Sequence, residues 1–288
     1  MASSNTRPDA DDQHHYHAEA SALHGHLDLP LNAPVKPQAY VKVAEKSGYS
    51  SERASDFRLE GIVSFRSAYT QASGHAETKP GHGPVTLATS VVEGFNVLDI
   101  VTADRIVAQI MTEHPPKRYV PNVTFLGTRF ENLQIAGHRI DVDLDTEIFG
   151  GKADEEVPHS RGKFGNDAAQ QREKLLGMSE LPSEVRDRYN QSPSDSASRR
   201  PIECSLVQQV NGSCPGRQFG HVIDIPHFGK VYLAVVRLTE WIPDPPPKLQ
   251  APRTQVELTM IYIKMGCATS GNLSGGNSIV NGGTKGTG

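Results

Sequence analysis

The feature that most limits how this chain can fold is a two-residue alternation of apolar and polar side chains. It is clearest over residues 59–69, where Val63, Phe65 and Tyr69 fall on one side of an extended chain and Arg66 falls on the other. Successive side chains of a β-strand point to opposite faces, so this pattern predicts a strand with one buried face and one solvated face.

Similar β-type runs recur along the chain with glycine and asparagine between them. They cover residues 84–92, 97–101, 105–112, 122–126, 130–135, 139–148, 202–210, 221–225, 230–241 and 254–265. Residues 102–111 also fit a helical turn, so their assignment stays open. Short strands separated by turn residues predict a mainly β fold, either an antiparallel β-sandwich, a barrel or an irregular β-solenoid.

The ends and one internal stretch differ from this β pattern. Residues 1–37 are polar, histidine-rich and proline-spaced, which predicts an extended arm. Residues 38–265 are then one β-rich domain, and the charged stretch 150–200 is an irregular insertion in it. Helix signals within that insertion cover Asp167–Met178, and a second short turn is expected over Ser183–Tyr189.

The C-terminal stretch, residues 266–288, is rich in glycine, asparagine and serine, and has one small apolar pair, Ile279 and Val280. Such a composition does not fold alone. We therefore expect the two terminal arms to be ordered by a neighbouring copy, with Ile279 and Val280 as the contact of the assembly arm.

Composition excludes some classes of function. A formal charge of −4 and a pI near 6.3 argue against a generally basic nucleic-acid binder. No apolar run approaches the roughly 20 residues of a membrane span. The start of the chain has no basic and apolar secretory signal, and we expect no cofactor.

Two short motifs, one with histidines and an aspartate and one with three aspartates, suggest metal ligands. His24, His26 and Asp28 form an HxHxD fragment that resembles the start of a metallohydrolase zinc motif, although a leucine stands where the next histidine belongs. The alternative is a solvated polar arm. A DxDxD run over residues 141–145 resembles a calcium loop but lacks the glycine and glutamate that an EF-hand requires, so a strand with solvated aspartates is the plainer interpretation.

The cysteines allow one disulfide. Cys204 and Cys214 have a spacing compatible with a bridge across a hairpin, or they are separate thiols. The only tryptophan, Trp241, ends a predicted strand, where packing in the core competes with a sugar-stacking role. No nucleophile elbow, phosphate loop or zinc-protease motif occurs, so we expect no enzyme activity.

The order of several motifs resembles that of the choice-of-anchor P proteins, which are bacterial β-rich exported or surface proteins. The resembling segments are residues 91–104, 130–137, 225–233 and 256–265. The resemblance implies an extracellular or cell-surface structural protein and brings no catalytic residues.

Three functions follow as hypotheses. The first is a non-enzymatic structural protein whose copies form a surface or filamentous assembly by exchanging β-strands through their arms. The second is a metal-dependent hydrolase that uses the HxHxD fragment. The third is a surface module that binds glycans with exposed tyrosines and Trp241.

Overall fold

The computed structural model describes residues 14–76, 82–115, 120–151, 157–190, 201–241, 253–266 and 269–284, and confirms a mainly β fold with antiparallel sheets that do not close into a barrel. The strands are β1 (His14–Leu29), β2 (Ala33–Gln38), β3 (Val41–Glu45), β4 (Gly48–Leu59), β5 (Val63–His75), β6 (Val85–Val97), β7 (Val101–Glu113), β8 (Asn122–Thr124), β9 (Arg129–Glu131), β10 (Gln134–Ile135), β11 (His138–Arg139), β12 (Asp141–Leu144), β13 (Ile202–Ser205), β14 (Val207–Asn211), β15 (Arg217–Phe219), β16 (Val222–Ile225), β17 (Gly229–Trp241), β18 (Arg253–Gly266) and β19 (Ser270–Thr284). The helices are α1 (Lys163–Leu176) and α2 (Ser183–Asn190).

Two large sheets contain most of these strands. Sheet I has the order β15-β16-β17-β18-β19-β1-β2, with β13 paired to β17 and β3 paired to β1. Sheet II has the order β11-β10-β7-β6-β5-β4, with β8 and β9 paired to β7. Strands β12 and β14 form a separate pair. Residues 102–111, which also fitted a helix, lie in strand β7.

The two large sheets pack face to face through small side chains. Alanines on the inner face of β1, at positions 18, 20 and 22, are at most 3% exposed, and β1 contacts β5 and β6 of the facing sheet. Hydroxyl groups tie the layers together, since Ser90 donates to the Ser21 carbonyl at 3.0 Å and Ser278 donates to the Ala108 carbonyl at 3.1 Å. These two buried hydroxyls thus have acceptors in the facing layer, as buried polar groups require.

The described parts of the segments expected to be arms form strands of sheet I, and β1 and β19 lie inside that sheet. Strand β1 pairs along its length with β19, and β19 also pairs with β18 on its other edge. The small residues of β19 follow from its neighbours in the core. A Cβ atom at Gly275 would lie 3.1 Å from the Phe95 ring, and one at Gly276 would lie 3.0 Å from the Ile106 side chain. The glycine- and serine-rich composition that predicted a C-terminal tail is therefore explained by the close packing of β19 against the other sheet.

The insertion carries the two helices as expected, and they pack on the outer face of sheet I. Helix α1 begins at Lys163, four residues before the predicted start, because Phe164 is fully buried and stacks on Phe149 with 4.3 Å between ring centres. Helix α2 matches the predicted short turn over Ser183–Tyr189. Its buried Val185 and Tyr189 pack with residues of β16 and β17.

In sheet II, the alternation of buried and exposed side chains shifts by one residue partway along the strands. The shift occurs at neighbouring positions of adjacent strands, which form a row across the sheet. In β5 the buried positions are 63 and 65 before this row and 68, 70 and 72 after it, and β6 and β7 change in the same way. Asp56 in β4 and Gly94 in β6 lie in the row with φ of 53° and 65°. Tyr69, predicted on the face of Val63 and Phe65, therefore lies on the opposite face.

Candidate functional site

The outer faces of the two sheets differ in how far they are covered by other parts of the chain. Helices α1 and α2 cover one end of sheet I, so Tyr232 there is only 2% exposed. On sheet II, Tyr49 is 58% exposed and the flanking residues of β4 are mostly exposed as well. We call the outer side of β4 to β7, with Tyr49, Arg53, Tyr69, Gln71, Thr89 and Gln109, the tyrosine face.

The tyrosine face is built around two neighbouring phenol groups. The hydroxyl oxygens of Tyr49 and Tyr69 are 3.4 Å apart, and Tyr69 donates to Gln71 Oε1 at 2.9 Å. The Arg53 guanidinium carbon lies 5.4 Å from the centre of the Tyr69 ring. The hydrogen bond with Tyr49, together with partial burial, raises the pKa of Tyr69, so this hydroxyl stays protonated at neutral pH.

Polar side chains continue this face across β6 and β7. Gln109 donates from its amide to the Thr89 hydroxyl at 3.1 Å, and its backbone exchanges hydrogen bonds with the Thr128 hydroxyl. Ser67 donates to Glu93 at 2.8 Å. These contacts between neighbouring strands hold donors and acceptors in fixed positions on the sheet surface.

A cavity lies on the same side of sheet II, beyond the row where the alternation shifts. Its volume is about 470 Å³, within the roughly 300–1,000 Å³ of pockets that hold small ligands. It is lined by Arg58, Gly61, Ile62, Val63, Ser64 and Asn96. The tyrosine face and this cavity thus lie along the same strands β4 to β6, which at about 3.3 Å per residue span roughly 40 Å.

This arrangement suits a hydroxyl-rich ligand. Aromatic rings offer flat apolar surface, and their hydroxyl groups add hydrogen bonds at the rim. Amide groups such as those of Gln71 and Gln109 both donate and accept, which matches the dual character of a hydroxyl. The face offers binding chemistry, and we find no paired general acid and base on it.

The predicted metal ligands do not assemble. His24 and His26 both lie on β1, but His24 Nδ1 is 3.1 Å from the Ser21 hydroxyl, whereas His26 Nε2 is 3.4 Å from Asp28. Within the described ranges, no group of three or more histidine, cysteine, aspartate or glutamate residues can hold a metal ion. His26 and Asp28 thus lie next to each other, whereas His24 has a different partner, and the three residues do not form a metal-binding group in the described structure.

The DxDxD run follows the plainer interpretation. Asp141 pairs with Arg139 at 3.1 Å, and Asp143 accepts a hydrogen bond from Asn211 at 2.9 Å. Asp145 accepts from the Glu147 amide at 2.9 Å and lies outside β12. Each carboxylate thus has its own partner in the protein.

The disulfide considered for Cys204 and Cys214 is not formed, and both are free thiols. Cys204 lies in β13 with its side chain in the core, where burial raises the pKa of the thiol well above its usual value. Cys214 is half-buried in the segment between β14 and β15. An inert, protonated Cys204 fits a packing role.

The two other residues singled out from sequence belong to sheet I. Val280 is fully buried in β19, opposite Ala18 of β1 and Val256 of β18, and Ile279 is its half-buried neighbour. Their observed contacts are therefore within the chain. Trp241 ends β17, and its indole lies outside the described part of the structure.

Sequence patterns gave no signal for a charged cluster beneath α2. Arg188 and Arg237 both bind Glu203, at 2.6 and 2.8 Å, and Tyr189 shares a 2.7 Å hydrogen bond with His221. Burial would raise the pKa of Glu203, but the two arginines hold it below its usual value. The cluster is largely buried, so it anchors the helix to the sheet.

No helix in the described part of the chain is long and apolar enough to cross a membrane. No curated protein and no solved structure matches the chain. A family model does match it, over residues 14–239, which stops before β18 and β19. The resemblance to choice-of-anchor P proteins stays a prediction. The match covers most of the chain, which therefore belongs to the family described as a domain of unknown function, DUF8256.

Proposed function

We propose that this protein is a non-enzymatic carbohydrate-binding module that holds a polysaccharide on its tyrosine face. The observation that carries the proposal is the open cluster of Tyr49, Tyr69 and Arg53, in which ring surface and hydrogen-bonding groups lie side by side on one face of the sheet.

The physical basis is that a sugar ring has an apolar C–H surface and a rim of hydroxyl groups. The exposed Tyr49 ring contributes the stacking surface, and the polar side chains around it hydrogen-bond to the rim. The sheet fixes these groups in advance, so binding costs little conformational entropy. A face that runs the length of β4 to β6 fits an extended polymer better than a single sugar.

The test is depletion of the full chain from solution by insoluble cellulose and chitin, with a parallel titration with soluble xylan. We expect retention on at least one of these polymers. Tyr49→Ala and Arg53→Ala are each expected to weaken binding about tenfold, which corresponds to roughly 1.4 kcal/mol. These are surface changes and are expected to leave the fold intact.

Tyr40→Ala is the matched control, because Tyr40 is also an exposed tyrosine, at 42%, but it lies between β2 and β3 and donates to Glu19. Its removal is expected to leave binding unchanged. Equal binding by all variants would reject the tyrosine face as the site, and no retention on any of the three polymers would reject the proposal.

Assembly between copies is a second candidate, favoured by the position of β4. This strand has 12 residues and lies at the end of sheet II, with β5 as its partner within the described residues. An outer strand of this length can add a strand from another chain. Charged residues on it, including Glu52 and Arg58, oppose such pairing. Light scattering of the full chain separates the cases, since assembly predicts a mass well above that of one chain.

A further inference from the structure

Two arginines of β4 carry positive charges that no acidic side chain of the described residues neutralises. In the pairing of β4 with β5, Arg53 lies opposite Tyr69 and Arg58 lies opposite Ser64. Both arginines are exposed. Among the residues that the structure describes, neither forms an ion pair, although Asp56 lies between them on the strand. Two unpaired cations on one strand stand out in a chain whose formal charge is −4.

A change in the backbone of β4 brings both arginines to the outer side of sheet II. Positions 53 and 58 differ by an odd number, so a regular strand would point them to opposite faces. Asp56 between them has φ of 53°, and the alternation shifts there by one residue. Phe57 consequently points inward, where its ring stacks on Phe65 with 5.1 Å between centres, and Arg58 points outward. The two cations therefore lie along one face, roughly 15 Å apart at about 3.3 Å per residue.

Two carboxylates in and after β6 already have partners. Glu93 lies on the same face, and its oxygens are 3.9 Å from Arg66 and 3.6 Å from Arg105. Asp99, in the turn that follows β6, accepts a hydrogen bond from the side-chain amide of Asn96. The positive charge along β4 is therefore left for a ligand to neutralise.

Arg58 also lines the cavity of about 470 Å³, together with Ser64 and Asn96. Its planar guanidinium offers two parallel N–H groups, which match the two oxygens of a carboxylate. The Ser64 hydroxyl can donate a further hydrogen bond. Ile62 and Val63 add apolar lining, as is usual in pockets for small organic groups. The cavity thus suits a sugar ring that carries a carboxylate.

We propose that the tyrosine face and the adjoining cavity select polysaccharides whose sugars carry carboxylate groups. Arg58 binds one carboxylate in the cavity, and Arg53 binds another beside the tyrosines. The inference rests on the proposed function and adds the class of polymer to it. Stacking on Tyr49 holds any sugar chain, whereas the two arginines favour an acidic one.

The test is calorimetric titration of the full chain with polygalacturonate and with the same polymer in its fully methyl-esterified form. The ester keeps the sugar backbone and removes its negative charges. We expect the acid to bind about tenfold more tightly at low salt, since a hydrogen bond to a charged group contributes that much or more. The difference should disappear at about 1 M salt, where charges are screened beyond about 3 Å.

Arg58→Gln keeps a hydrogen-bonding amide but removes the charge, and it is expected to lose most of the preference for the acid. Arg253→Gln is the matched control, because Arg253 is also exposed but lies on β18 of sheet I. It should keep the full preference.

Equal binding of the acid and the ester by the wild-type chain would overturn this inference and leave the proposed function intact. Displacement of polygalacturonate by single-stranded DNA at equal charge concentration would also overturn it, because the face would then bind any polyanion. Binding of neither form, with no retention on the neutral polymers, would reject the proposed function and this inference with it.

Discussion

An arginine lies over tyrosine rings on both outer faces of the sandwich, but the two arrangements differ in exposure. Under α2 the Arg188 guanidinium carbon is 4.4 Å from the Tyr232 ring centre, and Tyr232 is only 2% exposed. On the tyrosine face Arg53 lies 5.4 Å from Tyr69, and the adjoining Tyr49 is 58% exposed. Similar side chains are therefore buried within the fold in one place and open to solvent in the other, where we propose that they bind a polysaccharide.

Both outer faces belong to one sandwich. Deletion of residues 270–288 is expected to destroy that sandwich. That deletion removes β19 from between β18 and β1 and uncovers Phe95 and Ile106. We expect loss of cooperative thermal unfolding, measured by circular dichroism. A truncated chain that folds normally would instead favour the terminal segment as a free assembly arm.

Arg188→Ala tests whether the buried cluster under α2 stabilises the fold. Arg188 is paired with Glu203 at 2.6 Å, and its removal leaves that buried carboxylate with Arg237 alone. We expect a loss of about 3 kcal/mol in the free energy of unfolding, measured with urea. Polysaccharide binding by the folded fraction should not change, because the cluster lies on the other sheet.

Acid should weaken the buried cluster before it affects the open one. Burial lowers the pKa of His221 to about 4. The unfolded chain takes up this proton near pH 6.5, whereas the folded chain stays neutral until about pH 4, so stability falls as the pH decreases through that range. The full effect is about 3 kcal/mol, at roughly 1.4 kcal/mol for each pKa unit.

Urea titrations at several pH values measure this dependence. His221→Gln leaves a polar partner for the Tyr189 hydroxyl but does not titrate, so its stability should change less between pH 7 and 4. His138→Gln is the matched control, because His138 is exposed. The prediction fails if both variants keep the slope of the wild-type protein.

Gly94→Ala tests the row of sheet II at which the alternation shifts and which places Tyr69 on the tyrosine face. Gly94 has φ of 65°, and an added Cβ atom would lie 3.0 Å from the Arg66 side chain. The left-handed backbone alone costs an L-residue roughly 1–2 kcal/mol. We expect Gly94→Ala to lose more than this backbone cost, measured by urea unfolding, whereas Gly61→Ala, with no atom near its Cβ, should lose only the backbone contribution.

The smallest expected effects on stability are those of the exposed face itself. Tyr49→Ala and Arg53→Ala should each change the free energy of unfolding by less than about 0.5 kcal/mol, while both weaken polysaccharide binding. A large loss of stability in either variant would mean that the face is structural after all, like the cluster under α2.

Much of the fold could be predicted from local pattern, because strands such as β5 and β17 alternate or are rich in β-branched residues. Strand β19 could not be predicted. Its glycines and serines are poor strand formers alone, and the glycines at 275 and 276 are required by Phe95 and Ile106, which approach from the other sheet. A propensity argument has no access to that contact.

The candidate site escaped prediction for a different reason. Period-two reasoning placed Tyr69 with Val63 and Phe65, and one shift in the alternation moved it to the other face. The positive φ at Gly94 supports that shift, but a glycine within a strand pattern does not reveal it from sequence alone. The buried cluster likewise joins Arg188 and Glu203 through tertiary contact.

Amide hydrogen exchange with and without the retained polysaccharide tests the central claim most directly. The claim predicts slower exchange in β4 and β5, residues 48–59 and 63–75, and no change in β17 and β18. Protection confined to sheet I, or no protection in the presence of bound polymer, would contradict it.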